Sequence, residues 1–297
     1  MDSFRTGMNR GLGIEGQTNL KGPSFINLMF DISCNLACRT CGPQLSTYWQ
    51  HHLRENKEWQ GPISSPKRAN DVIAALDQLD LTELKQVVLT GGETLLGNSY
   101  WEVVQWLVDH VPNAKDQLTI CFQTNGTQSI PQKYFETIAR TKLVKLHISI
   151  DAVDERFEYL RWPARWQALE QNIFSIRESC PSNVMFVVEE TISIFNLFYS
   201  RETKSWCQNN FSSNREGDIV NHSRHLAHGI YSLDNCTDEY AQAIAGSNAS
   251  DLIPQHRKEN PVKIISMLDQ IKKIDGFRKQ SFANTFPEVF EFYKRYW

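Results

Sequence analysis

The chain lacks what would commit it to a membrane or to a polyanion. No stretch of its 297 residues approaches the roughly eighteen apolar residues of a membrane-spanning helix, and the opening Met1-Asp2-Ser3-Phe4-Arg5 has no apolar leader core. A soluble, cytoplasmic protein is therefore the expectation. The formal net charge is only -3 and no long basic run occurs, which removes any general electrostatic pull toward nucleic acid or anionic lipid. Internal repeats and low-complexity tracts are missing as well. Seven cysteines make an odd set without the spacing of a disulfide framework, and a second Cys-x2-Cys pair, usual in closed zinc sites, is absent.

What is present is a crowded triplet, Cys34, Cys38 and Cys41, in the run Cys-Asn-Leu-Ala-Cys-Arg-Thr-Cys. Soft thiolates suit iron-sulfur clusters and zinc above other metals. Three of them hold three corners of a cubane and leave one iron open for a substrate or cofactor. A structural zinc site needs a fourth ligand at tetrahedral distance. His51 and His52 are the nearest candidates, but they fall in a predicted helix from Gln44 to Trp59 that leads away from the loop.

With 41% hydrophobic residues the chain is long enough for one large α/β fold with an appendage. Residues 1–23 read as an N-terminal arm, 24–200 as the core, and 201–297 as a C-terminal extension. Apolar runs of strand length recur at Ser24 to Ile32, Gln86 to Thr90, Leu118 to Gln123, Leu143 to Ile150 and Asn183 to Ile194. Helical patterns separate them at Ala69 to Leu79, Tyr100 to Val111, Pro131 to Arg140 and Trp166 to Glu178. This alternation predicts a parallel sheet with right-handed crossovers, curled into a full or partial TIM-type barrel. Sites in such folds lie at the C-terminal strand ends. That rule gathers the Cys loop, Gly91-Gly92-Glu93, Thr124-Asn125-Gly126 and Asp151 on one face. Farther on, Gln208 to Ser223 reads as an irregular insertion, Leu226 to Leu233 as a weak sixth strand, and Asp238 to Ala245, Pro261 to Ile274 and Pro287 to Trp297 as helices.

Cys34-x3-Cys38-x2-Cys41 after one strand, with Thr90-Gly91-Gly92-Glu93-Thr94-Leu95-Leu96 after the next, resembles the radical S-adenosylmethionine (radical SAM) superfamily. The likeness continues through Gln123-Thr124-Asn125-Gly126-Thr127 and Ser149-Ile150-Asp151, and so spans residues 24–196. Arg156 to Asn172 and Glu189 to Phe198 resemble members with a twitch subdomain. The resemblance implies a partial (β/α)6 barrel with a short C-terminal extension. It implies a 4Fe-4S cluster on Cys34, Cys38 and Cys41 that binds S-adenosylmethionine, reductively cleaves it, and yields a 5'-deoxyadenosyl radical that takes a hydrogen atom from substrate. An external electron donor such as flavodoxin or ferredoxin belongs to that scheme.

Residue by residue, the resemblance implies that Gly91 and Gly92 admit the methionine moiety and that Glu93 receives its ammonium group. The alternative for these residues is a tight βα turn with an acid near a helix N-terminus. Ser149 and Asp151 match positions that meet the ribose hydroxyls, although Asp151 reads equally well as an N-cap. Asn125, in an Asn-Gly pair, is either a cofactor contact or a turn residue. Asn196, near Ser193, matches positions that reach the cofactor carboxylate or adenine, or else is a capping amide. Arg161 offers a bidentate carboxylate clamp. Thr40 stands where the superfamily usually carries an aromatic or large apolar residue. Cys180, Cys207 and Cys236 form no compact set, which points to a single cluster.

The sequence leaves the substrate open among three readings. One is a peptide modified through hydrogen abstraction, with Cys207 or Cys236 returning a hydrogen atom unless each is simply a buried apolar cysteine. Another is a small metabolite or nucleoside, with His222, Arg224, His225 and His228 at the barrel mouth. A third is a non-catalytic iron-sulfur protein, which the retained Gly91-Gly92-Glu93 argues against.

Overall fold

The computed structural model describes residues 22–65, 68–211, 221–245, 252–254 and 257–297. Most of the expected arm over 1–23, and the middle of the expected insertion over 208–223, lie outside the described residues. The alternating elements run β1 (Phe25–Met29), α1 (Thr47–Glu55), α2 (Ala69–Leu76), β2 (Gln86–Thr90), α3 (Ser99–His110), α4 (Ala114–Gln117), β3 (Thr119–Thr124), α5 (Phe135–Ala139), β4 (Leu143–Ser149), α6 (Asp154–Leu160), α7 (Trp166–Ser179) and β5 (Val184–Ile192). They continue with α8 (Ser200–Phe211), β6 (Asn221–Leu226), α9 (Asp238–Ala245), α10 (Pro261–Arg278), α11 (Phe282–Thr285) and α12 (Pro287–Tyr293).

Every neighbouring strand pair is parallel, and the order in the sheet is the order in the chain, β1 to β6. The result is a half-barrel of six strands with helices packed outside, the partial TIM-type architecture expected from the alternation. Its convex face carries the main core. Val87, Leu89, Ile120, Phe122, Val144, Leu146, Ile148, Phe186 and Val188 point there and are almost fully buried against Trp101, Val104, Leu107, Leu169 and Ile173. Side chains alternate along a strand, so the intervening residues line the concave face. Phe25 and Met29 on edge strand β1 remain 53% and 54% exposed there, so the concave face is open at that edge.

A second core joins the end of β5 to the C-terminal helices. Phe195, Tyr231, Leu233, Tyr240, Ile264, Leu268, Phe282 and Phe286 are all nearly inaccessible within it. This cluster explains the displaced sixth strand. The expected strand at Leu226 to Leu233 is instead Asn221–Leu226, whose sequence Asn-His-Ser-Arg-His-Leu is polar. An edge strand needs only backbone pairing on one side, here with β5 from Val187 to Ile192, and has no requirement for an apolar run. The apolar residues that suggested a strand, Tyr231 and Leu233, sit in 3-10 turns and bury themselves in the second core. Helix bounds also shrink. The stretch Gln44 to Trp59 contains nine helical residues, capped by Ser46, whose side chain accepts from the Trp49 amide.

The last long helix reaches back to the Cys loop. Arg278 Nη2 donates to the Ala37 carbonyl at 2.7 Å, and Arg39 pairs with Asp275. Arg39 also lies 3.7 Å over the Tyr159 ring and donates to Gln280 Oε1 at 3.0 Å. Residues far apart in sequence thus share one buried charged layer under the loop.

Candidate active site at the C-terminal strand ends

The Cys loop leaves β1 and is fastened on every side. Cys34 N donates to Thr47 Oγ1 at 3.1 Å, Ser46 Oγ to Leu36 O at 2.6 Å, and Trp49 Nε1 to Cys38 O at 2.8 Å. The Ala37 and Arg39 amides donate to the carbonyls of Trp162 and Leu160 at 2.8 and 2.7 Å. Backbone held so tightly presents its thiols in fixed directions without ligand. Burial, with a smaller contribution from neighbouring thiols of the triplet, pushes the Cys34 thiol up to about 11 and the Cys38 thiol up to about 12. Cys41 is raised as well, by burial.

Each thiol has different polar company. The Leu36 amide lies 3.5 Å from Cys34 Sγ and the Asn125 amide 3.9 Å away. Arg161 Nη1 lies 3.8 Å from Cys38 Sγ, and Cys41 Sγ faces the Gly42 carbonyl at 3.7 Å. Among the described residues no trio of His, Cys, Asp or Glu closes on a single metal ion. A cubane, by contrast, offers a separate iron to each thiolate, and three mutually interacting soft donors fit it. His52 is buried elsewhere, its ring centroid 4.7 Å from that of Trp162 in a tilted contact, with Arg278 Nε 3.4 Å from its Nε2, and burial lowers it to about 4. His51 is exposed on α1. Neither imidazole completes a zinc site with the loop.

Gly91-Gly92-Glu93 lies directly against the Cys loop. The Gly92 amide donates to Asp31 O at 3.0 Å and the Glu93 amide to Ser33 O at 2.8 Å. Gly91 has φ of +133°, and a Cβ there would stand 2.3 Å from Asp31 O. Glu93 is 1% exposed, and burial raises its carboxyl, while hydrogen bonds and the charge of Arg161 pull it back. Its Oε1 accepts from Leu95 N at 2.9 Å and Thr124 Oγ1 at 2.6 Å, and its Oε2 from Asn125 N at 2.6 Å. A carboxylate offers about four lone-pair positions, so one on Oε2 is left for a cation.

The remaining candidates divide in two. Asp151, 1% exposed, caps no helix: Val153 precedes α6, and Asp151 Oδ1 instead accepts from Arg161 Nη2 and Thr191 N, both at 2.9 Å. Its Oδ2 is buried and has no hydrogen-bond partner among the described residues. Ser149 ends β4 on the concave face, in register with Glu189. Asn196 has both ends of its amide engaged, donating to the Asp151 carbonyl at 2.7 Å and accepting from Ser193 N at 2.8 Å, so it braces the Asp151 turn. The Asn125 side chain is likewise engaged, with Asn35 Oδ1 at 2.9 Å and Thr127 N at 2.9 Å.

The concave wall holds a polar group of which the sequence reading named His225 as a contact but not His147 or Glu189. His147 Nδ1 lies 2.7 Å from Glu189 Oε1, His225 Nε2 lies 3.8 Å from the same oxygen, and Ser223 Oγ is 3.2 Å from His225. Cys121 also faces this wall, with Gln86 Nε2 at 3.5 Å and the His147 ring within reach. Period-2 alternation on β3, β4 and β5 was the available signal, since Cys121, His147, Ser149 and Glu189 all occupy the strand positions opposite the apolar core. Cys207 belongs to the helix-side core and Cys236 to the C-terminal core, so neither faces the concave wall. His222 has its side chain outside the described residues.

Burial alone would lower the His147 imidazole, but the Cys121 and Glu189 hydrogen bonds and the Glu189 charge outweigh it and push it up to about 9. A raised folded pKa gives stability that is complete below the unfolded value and is lost as pH rises through the folded one. In an NMR titration of the His147 ring, Glu189→Gln is expected to lower the midpoint by at least about one pH unit, some 1.4 kcal/mol. An unmoved midpoint would show that Glu189 does not hold the proton.

A family model described as the radical SAM superfamily matches residues 32–194, more than half of the chain. No curated protein matches. Among solved structures, Streptococcus suis SuiB bound to S-adenosylmethionine aligns at 14% identity and TM-score 0.48, over 90% of this chain and 53% of that one. Native anSMEcpe with bound AdoMet and Cp18Cys peptide aligns at 12% identity and TM-score 0.45, over 86% and 61%. Escherichia coli coproporphyrinogen III oxidase (HemN) aligns at 11% and 0.42, over 85% and 51%. The chain spans about half the length of the SuiB and HemN structures. With the cysteine triplet, the glycine turn and the family match in agreement, the chain belongs to the radical SAM superfamily, whose cofactors are a 4Fe-4S cluster and S-adenosylmethionine.

Proposed function

We propose that this protein is a radical SAM enzyme that abstracts a hydrogen atom from a peptide. The observation that carries the reading is Glu93. It is a fully buried carboxylate whose charge reaches the Cys34 thiol, with three hydrogen bonds satisfied and one acceptor position left open. Cys34, Cys38 and Cys41 would hold the cluster, which when bound supplies the electron that cleaves S-adenosylmethionine to methionine and a 5'-deoxyadenosyl radical.

The chain's own residues orient and shield. Gly91 and Gly92 keep the approach free of side chains, and Glu93 takes the methionine ammonium. Asp151 Oδ2 and Ser149 meet the ribose hydroxyls, with Asn196 bracing the Asp151 turn and Asn125 holding the amide side of Cys34. A flavodoxin- or ferredoxin-type protein supplies the electron. The peptide preference rests on the β1 edge, where the exposed Phe25 and Met29 offer an extended chain apolar contact and, among the described residues, a backbone edge that no strand pairs. A small metabolite or nucleoside is the second reading, favoured by the His147–Glu189–His225 group on the concave wall.

The test is an anaerobic assay with reconstituted cluster, dithionite and S-adenosylmethionine. 5'-Deoxyadenosine is expected, and its absence both with and without cell extract would overturn the enzyme assignment in favour of a non-catalytic iron-sulfur protein. In extract, deuterium carried from a labelled peptide fraction into 5'-deoxyadenosine would support the peptide substrate. Label arriving only from the small-molecule fraction would favour the second reading.

A further inference from the structure

A cluster that must accept an electron feels every fixed charge beside its ligands. Among the described hydrogen-bond partners of the three loop thiols, only one is an ion. Cys34 faces the Leu36 amide and the neutral Asn125 amide, and Cys41 faces a carbonyl. Cys38 faces the guanidinium of Arg161, 3.8 Å from its sulfur.

Arg161 follows the last turn of α6 and is 7% exposed. Its other terminal nitrogen is fixed on Asp151 Oδ1 at 2.9 Å. That oxygen is held in turn by the Thr191 amide at 2.9 Å, and the Asp151 carbonyl by Asn196 at 2.7 Å. The guanidinium therefore cannot swing from the sulfur without breaking a buried ion pair. A cation beside a ligand sulfur favours the more negative, reduced state, and the carboxylate behind it cancels part of that effect.

We propose that Arg161 is a positioning residue that raises the reduction potential of the cluster on Cys34, Cys38 and Cys41, with Asp151 fixing it and attenuating its charge. This rests on the radical SAM reading of the cysteine loop. It goes further in assigning opposite electrostatic roles to two residues that form one ion pair.

The test is an EPR-monitored redox titration of the reconstituted protein, without S-adenosylmethionine so that cofactor contacts do not intervene, with iron and sulfide content measured alongside. Arg161→Gln is expected to shift the reduction equilibrium about tenfold against the electron, a drop of ~59 mV for a one-electron couple. Asp151→Asn is expected to shift the midpoint in the opposite direction. Arg161→Lys keeps the charge without the planar fork and falls between wild type and Arg161→Gln. If both residues served packing alone, Arg161→Gln and Asp151→Asn would move the midpoint the same way or leave it still, and either result overturns the proposal. Should Arg161→Gln lose its cluster, the sign of the Asp151→Asn shift decides: upward supports the role and downward or zero overturns it. A wild-type protein with no 4Fe-4S signal would instead remove the radical SAM reading itself.

Discussion

Asp275→Ala is expected to cost about 3–5 kcal/mol of stability, a large part of the roughly 5–15 kcal/mol available to a typical domain. Asp275 is the ion-pair partner of Arg39, whose side chain is 0% exposed, and its second oxygen accepts from the Phe282 amide at 2.7 Å. Arg278, 7% exposed, lies in the same layer, and burial together with the like charge of Arg39 pushes it down to about 9. Truncating the carboxylate would leave the buried Arg39 guanidinium without its anion, next to the like charge of Arg278, and the Phe282 amide without its acceptor. Thermal and urea unfolding would read the loss, and iron content after reconstitution should fall with it, because Arg39 lies between two of the loop cysteines. The double variant Arg39→Met, Asp275→Leu should recover most of the stability, since removing both charges also removes their desolvation penalty. A loss below about 1 kcal/mol for Asp275→Ala would mean that the ion pair is not what holds α10 to the loop.

Gly92→Ala is expected to abolish cluster retention and lower S-adenosylmethionine cleavage by more than about a hundredfold, which corresponds to roughly 2.7 kcal/mol. A Cβ at position 92 would stand 2.2 Å from the Ser33 carbonyl oxygen and 2.6 Å from the Ile32 carbonyl carbon. Both contacts are with backbone, which cannot rotate away, so the segment leading into Cys34 would have to move. Gly97→Ala is the matched comparison. Gly97 has φ of +75°, yet none of the described residues lies within 4 Å of its added Cβ, so the substitution adds backbone strain of about 1 kcal/mol without displacing the loop. Iron and sulfide analysis of the two variants checks the contrast. Equal cluster content in both would show that the close approach at Gly92 is relieved elsewhere.

The strands with apolar runs, β1 to β5, were legible because burial against helices demands continuous hydrophobic residues and leaves a composition signal. β6 was not legible in that way, since an edge strand with a polar face is defined by the backbone of β5 rather than by its own side chains. The motif residues also carried unequal information. Glu93 and the two glycines follow from their place at a strand end, whereas Asp151 reads as a helix cap in sequence and turns out to face Arg161. That partner lies ten residues on, past a helix whose direction no local pattern reveals. The Cys121, His147 and Glu189 wall was written in the alternation of three separate strands, and it becomes a site only when the register aligns them.

The link between Arg39 and Asp275 spans 236 residues of sequence. At a typical synthesis rate of about 5–20 residues per second, roughly 10–50 s separate the emergence of these two side chains from the ribosome. During that interval the cysteine loop exists without the helix that braces it from below, and its thiols are open to oxidation and to the wrong metal. The brace that α10 gives the loop is therefore absent until Asp275 has been made, and a loop with its full support follows completion of α10 rather than accompanying its own synthesis.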